Sequence, residues 1–232
     1  MNTSQIGSAI VYTGEHSDRI VEIIGEGAFG VDPDFASIAI ASNAPAGWTT
    51  TLVGTSTLTR ADAVGGAIVL TTGGTENDGV NTQIGGEAYK PSATASLYFF
   101  TKLAVSEAEQ SDLFIGLTIT DTAVLTNLGK RIGFRSVDGS AALGFEYEGT
   151  AETTIEGVHT LVNDTEVELE FFWDHVNSQV RVYIDGTLKG TYTPGANLPD
   201  TEIKPSVNFL TGAGSAETCT ISRLKVIQTS GR

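Results

Sequence analysis

The stretch Glu166-Val167-Glu168-Leu169-Glu170-Phe171-Phe172-Trp173 alternates acidic and apolar residues with a period of two. In an extended strand successive side chains point to opposite faces, so Val167, Leu169, Phe171 and Trp173 share one face and the three glutamates the other. Such a strand offers one face to a core and the other to water, and it needs antiparallel partners. They follow at once. Gln179–Ile184 turns Val180, Val182 and Ile184 inward, Asp185-Gly186 sits where a two-residue type I′ turn belongs, and Thr187–Tyr192 runs back. A three-stranded meander is the result.

The same grammar recurs upstream. Residues 131–137 and 141–148 flank Asp138-Gly139, a second hairpin signal, with Leu143, Phe145 and Tyr147 on one face. Further strands are expected at 67–72, 95–105, 113–120, 157–162, 206–210 and 218–228, the last with a change of parity between Ile221 and Leu224 that implies a bulge. Only Ser106-Glu107-Ala108-Glu109-Gln110 hints at a short helix, through a capping-box pattern. So many short strands in 232 residues imply one all-β domain of two packed antiparallel sheets. Residues 1–45 alternate poorly and carry Gly25, Gly27, Gly30, Pro33 and Pro45, so they read as an N-terminal arm. The sandwich is expected over 46–232.

Charge and composition exclude several functions. Against 13 Lys and Arg stand 28 Asp and Glu, a formal net charge of −15, which disfavours nucleic acid and anionic membrane surfaces as partners. No run approaches the ~18 apolar residues of a membrane helix, and residues 1–10 lack the pattern of a signal peptide. The lone Cys219, in Thr218-Cys219-Thr220-Ile221, reads as an inert thiol on the apolar face of a strand.

No catalytic, cofactor-binding or metal-binding residue is assigned on these grounds. Glu166, Glu168 and Glu170 are considered as the carboxylates of a glycosidase and set aside as a solvated strand face, a pattern that Glu146 and Glu148 repeat. Exposed aromatic rings for a sugar could come from Trp48, Trp173, Tyr147, Tyr183 or Tyr192, but parity turns Trp173 and Tyr147 inward. Glu76, Asn77, Asp78 and Asn81 form an oxygen-rich stretch read as a polar turn rather than a calcium loop. His16, His159 and His175 lack zinc spacing, Asp174-His175 reads as a loop, and Ser56 and Ser215 lack a nucleophile elbow. Gly212-Ala213-Gly214 precedes no helix, so it is no nucleotide loop.

One resemblance spans residues 46–229. It rests on the order of Val53-Gly54-Thr55-Ser56-Thr57-Leu58, Gly65-Gly66-Ala67-Ile68-Val69-Leu70-Thr71-Thr72-Gly73, Glu76-Asn77-Asp78-Gly79-Val80-Asn81, Gly133-Phe134, the strand ending Phe172-Trp173-Asp174, Val182-Tyr183-Ile184-Asp185-Gly186 and Ile221-Ser222-Arg223-Leu224-Lys225-Val226. That series resembles the concanavalin A-like (LamG-type) jelly rolls of bacteriophage virion proteins. The resemblance implies a virion structural protein, a decoration or cement protein outside the head. It would be made in the host cytoplasm, form a homo-oligomer with a trimer favoured, bind the major capsid protein and have no enzymatic activity. A carbohydrate- or receptor-binding appendage, and behind it a glycoside hydrolase, are the alternatives on the same fold.

Overall fold

The computed structural model describes residues 2–6, 9–13, 28–122, 125 and 129–229. Its first strands are β1 (Asn2–Ile6), β2 (Ala9–Thr13), β3 (Ala28–Val31), β4 (Ile40–Ala41), β5 (Ala44–Pro45), β6 (Trp48–Val53), β7 (Thr57–Ala61), β8 (Ala67–Thr71) and β9 (Gly79–Ile84). The longer ones follow: β10 (Leu97–Val105), β11 (Ser111–Thr118), β12 (Arg131–Ser136), β13 (Ala142–Glu148) and β14 (Glu152–Thr160). The chain closes with β15 (Val167–Asp174), β16 (Gln179–Ile184), β17 (Thr187–Tyr192), β18 (Lys204–Thr211) and β19 (Thr218–Thr229).

Eight strands form one sheet in the order β17-β16-β15-β10-β19-β8-β7, with β3 also pairing β19. Seven form the other, β14-β13-β12-β11-β18-β9-β6. The strand pairings within both sheets are antiparallel. The fold is therefore the expected all-β, two-sheet jelly-roll sandwich. Within the segment read as an arm, β3 joins the eight-stranded sheet and Phe35 lies in the main core. Residues 14–27 of that segment lie outside the described residues.

Alternation fixes what lies between the sheets. Val167, Leu169, Phe171 and Trp173 are all buried in the main core, and the Trp173 indole N–H donates to the Ser92 carbonyl at 2.8 Å. Phe171 stacks on Phe99 of its own sheet at 5.0 Å and meets Phe145 and Phe134 of the facing sheet at 5.5 and 6.3 Å. Each such side chain contributes roughly 1.5–3 kcal/mol by leaving water. Cys219 is fully buried and its thiol is pushed up to about 12, which keeps it protonated and unreactive. The Asp185-Gly186 turn has positive φ at both residues, 49° and 72°. The expected bulge is present too: the β10–β19 register skips Ser222 between Arg223 and Ile221.

Four details depart from the sequence expectation. Glu170 and Phe172 lie on the outer face of β15 yet are buried, at 0% and 1% exposure. The Tyr98 hydroxyl donates to Glu170 at 2.8 Å, and the Arg181 guanidinium stands 5.2 Å from the Phe172 ring centre, so that face is not wholly wet. Residues 106–110 form turns rather than helix: Ser106 Oγ accepts from the Thr218 N–H, and Ser111 Oγ donates to the Glu107 carbonyl. Residues 79–84, read partly as a polar turn, are a strand paired on both sides, to β18 and β6, whose Val80, Thr82 and Ile84 face inward. The strand expected at 157–162 begins earlier, at Glu152, and Gly157 adopts φ 66° where the register with β13 shifts.

One buried carboxyl fastens the two sheets at their end. Glu217 is 3% exposed; its N–H donates to Thr72 Oγ1 at 2.8 Å and its carbonyl accepts from the Thr72 N–H at 2.9 Å. Its carboxyl accepts from Thr211 Oγ1 of β18 at 2.9 Å. Burial raises its pKa above 4.5, and the Thr211 and Ser111 hydroxyls oppose that shift only in part. The folded state therefore binds the proton more tightly than the unfolded chain does. Stability from this group is fully present below the unfolded value and is lost as pH rises through the folded one. Urea midpoints of the protein and of Glu217→Gln, followed from acid to neutral pH, should diverge, with the variant at least as stable at neutral pH. A parallel pair of curves would show that Glu217 titrates normally.

Candidate functional site

Because Phe134 and Phe145 must face the core, their strand neighbours must face out. On β12 these are Arg131, Gly133 and Arg135, and on β13 Gly144, Glu146 and Glu148. The register sets Glu148 opposite Arg131, Glu146 opposite Gly133 and Gly144 opposite Arg135. On β14, Glu152 and Thr154 stand opposite Glu148 and Glu146. Cations on one strand thus meet carboxylates on the next two.

The outcome is a three-way clamp. Arg131, 5% exposed at its side chain, holds Glu146 through Nε at 2.5 Å and Glu152 through a terminal nitrogen at 2.8 Å, and it also pairs with Glu148. Arg135 adds a longer contact to Glu146 at 3.7 Å. Desolvation pulls the Arg131 pKa down, but the hydrogen bonds and charges of Glu146 and Glu152 outweigh it and hold the guanidinium above its ordinary value. The same hydrogen bond from Arg131 keeps the Glu152 carboxyl below the usual range. Glu146, only 1% exposed, is a fixed acceptor rather than a roaming charge.

Beside this clamp opens a groove of about 420 Å³, lined by Arg135, Val137, Ser140, Ala142, Gly144, Glu146, Glu152, Thr154 and Glu156. Its volume falls within the range of small-molecule sites. Gly144 leaves the floor bare: a Cβ there would lie 3.1 Å from the Ile155 carbonyl and 3.7 Å from a Glu156 carboxylate oxygen. Acceptors and a guanidinium therefore rim a shallow trough without a blocking side chain.

The candidates weighed from sequence are scattered. Glu166 and Glu168 pair with Lys102 on the outer face of the other sheet, at 3.1 and 4.0 Å, and Glu170 is held by Tyr98. Of the five aromatic candidates, Trp173, Tyr147 and Tyr183 are buried and Trp48 and Tyr192 half-buried against the core, so they form no exposed platform. Among Glu76, Asn77, Asp78 and Asn81 the structure builds no ion cage. Asp78 packs against Gly54 and Gly73 and caps the Thr75 N–H, whereas Asn81 sits on the sheet and donates to the Asp121 carbonyl at 2.9 Å. Among the described residues no group of His, Cys, Asp and Glu is arranged for a metal. His175 Nδ1 lies 2.7 Å from Ser96 Oγ, and Asp174 accepts from Asn177 and pairs with Arg181. His16 lies outside the described residues. Ser56 Oγ donates to the Val53 carbonyl and accepts from Gly73, and Gly212 packs on Asp138.

No protein-family profile matches the chain, and no curated protein matches it in sequence. Solved structures do match in shape, and they share the two-sheet jelly-roll sandwich fold. A protein of unknown function from Shewanella oneidensis aligns over 95% of this chain and 97% of its own with a TM-score of 0.61 at 14% identity. The endo-1,3-beta-glucanase of Streptomyces sioyaensis aligns over 89% and 98% with a TM-score of 0.60 at 13% identity. The endo-beta-1,4-glucuronan lyase of Trichoderma reesei aligns over 85% and 94% with a TM-score of 0.58 at 12% identity. These likenesses correct one expectation. The chain was read as no enzyme, yet its fold is shared nearly end to end by two polysaccharide-cleaving enzymes. The carboxylates weighed for glycan cleavage, Glu166 to Glu170, lie on a different sheet from the groove.

Arg131→Met should destabilise by ~3–5 kcal/mol, because it leaves Glu146 charged and buried without its partner. Pairing it with Glu146→Met should restore much of that loss in denaturant unfolding. Strict additivity of the two changes would show that the clamp is not a coupled unit.

Proposed function

We propose that the protein recognises an uncharged glycan, bound in the groove over β12, β13 and β14. The observation that carries this reading is the groove itself. Glu146 is fixed by Arg131 and Arg135, Glu152 and Glu156 add further acceptors, and Arg135 supplies donors over the bare Gly144 floor. Sugar hydroxyls both donate and accept, and rigid charged partners bind them more firmly than mobile ones do. Support comes also from the fold, which the glucanase and the glucuronan lyase share. Carboxylates outnumber guanidiniums in the clamp and rim, and the whole chain carries −15, so a polyuronate would be repelled where a neutral chain would not. The head-decoration role that the resemblance implied draws no support from these likenesses, and the glycan-binding alternative is the one proposed.

Calorimetry with laminarihexaose, cellohexaose and chitohexaose, set against an alginate hexasaccharide, tests the reading. At least one neutral chain should bind more tightly than about 1 mM, and Glu156→Ala should weaken it roughly tenfold. Reducing-end release in the same mixtures reports whether the bound chain is cut. If no neutral chain binds, or if Glu156→Ala and Thr154→Ala bind as the parent does, the groove is not the site.

A further inference from the structure

The outer face that carries the groove continues past it. Gly144 of β13 stands opposite Arg135 of β12, Arg135 opposite Phe114 of β11, Phe114 opposite Asn208 of β18, and Asn208 opposite Asn81 of β9. Residues in one such row point the same way, and adjacent strands are ~4.8 Å apart, so Asn208 lies about 10 Å from Arg135 along the face. A short oligosaccharide spans that distance.

Asn208 is the anomaly in this row. It is 0% exposed, and among the described residues neither its side-chain nitrogen nor its side-chain oxygen has a hydrogen-bond partner. A buried amide with both ends unsatisfied is unfavourable, and native proteins keep few of them without a reason. Its neighbours on the same face are treated differently. Asn81 donates to the Asp121 carbonyl at 2.9 Å, Gln83 donates to the Ile119 carbonyl at 3.0 Å, and the Asp121 N–H donates back to Gln83 Oε1 at 3.0 Å. The stretch from Ile119 to Asp121 is thus strapped across the β9 side of the face by two amide side chains. On the other side of Asn208, Phe114 is also 0% exposed although it faces outward. Its ring tip occupies the space that a Gly133 side chain would need, 3.0 Å from where that Cβ would stand.

We propose that Asn208 and Phe114 form a second subsite for the glycan bound in the groove, closed in the free protein by the 119–121 strap. The proposal rests on the groove being a glycan site. A primary amide with a free donor and a free acceptor matches two neighbouring hydroxyls of a pyranose, one accepting from Nδ2 and the other donating to Oδ1. An aromatic ring beside it matches the apolar face of the same sugar. On opening, Asn81 and Gln83 exchange backbone partners for hydroxyls or water, while Asn208 gains the partners it lacks.

Two measurements test this on the full chain, using whichever neutral hexasaccharide the groove binds best. Asn208→Ala should keep or raise the melting temperature, since it removes an unsatisfied amide, yet weaken binding roughly tenfold. Amide hydrogen exchange should show the Asp121 N–H losing protection when the parent protein is saturated with the sugar. If Asn208→Ala binds as the parent while Glu156→Ala does not, the second subsite is wrong and the groove stands. Should Asn208→Ala fail to fold, exchange at Asp121 decides alone, and unchanged protection overturns the proposal. If the parent binds none of the neutral chains, the groove reading falls and this one with it.

Discussion

Contact between Phe171 of the eight-stranded sheet and Phe134 and Phe145 of the seven-stranded one sets the geometry of the whole sandwich. Side chains along a strand alternate without exception unless a bulge intervenes, so burying these rings leaves no freedom over which residues face outward. Arg131, Arg135, Gly144 and Glu146 are presented on the outer face because Phe134 and Phe145 are not. A slip of one residue in β12 would bury its guanidiniums in an aromatic core, and a slip in β13 would bury its carboxylates there. The core thus specifies the groove as firmly as it stabilises the fold.

Electrostatics then shape what the outer face can do. Arg131 and Glu146 are both withdrawn from water, and such pairs are tolerated when geometry and further hydrogen bonds offset desolvation. Here Glu148 and Glu152 supply the additional partners. The clamp contributes little net stability compared with an apolar pair of the same volume, so its value lies in holding carboxylates rigidly at the edge of a groove. Across the same face the polar groups change character, from charged and paired near β13 to neutral amides near β9. A graded surface of this kind suits a chain of hydroxyl-bearing units better than a single compact charge.

Strands with one dry and one wet face were legible in the sequence, as at 166–173, and so were the turn at Asp185-Gly186 and the bulge near Ser222. The failures have a common origin. At β9 the inward Val80, Thr82 and Ile84 alternate with Asn81 and Gln83, which are polar yet buried beneath the strap, and a strand polar on a covered face reads like a loop. Glu170 and Phe172 misled in the same way, since burial on an outer face leaves no mark in a strand's own pattern. β14 was shifted because Gly157 breaks its register. Glu146 and Glu148 were set aside as a solvated pair since their partner, Arg131, lies on the neighbouring strand. The hint was available in the alternation Arg131-Gly133-Arg135 facing Gly144-Glu146-Glu148 across the hairpin, where opposite charges fall in register.

The central claim is that the outer face of the seven-stranded sheet, and not that of its partner, is where this protein meets a glycan. Backbone amide shifts recorded while titrating a neutral hexasaccharide into labelled protein test it most directly, because every strand reports at once. The account predicts that the perturbed amides cluster at Gly144, Glu146, Thr154 and Glu156 and extend towards Phe114 and Asn208. Perturbations confined to the outer face of β15, around Glu166 to Glu170, or absent from both sheets at saturating sugar, would contradict it.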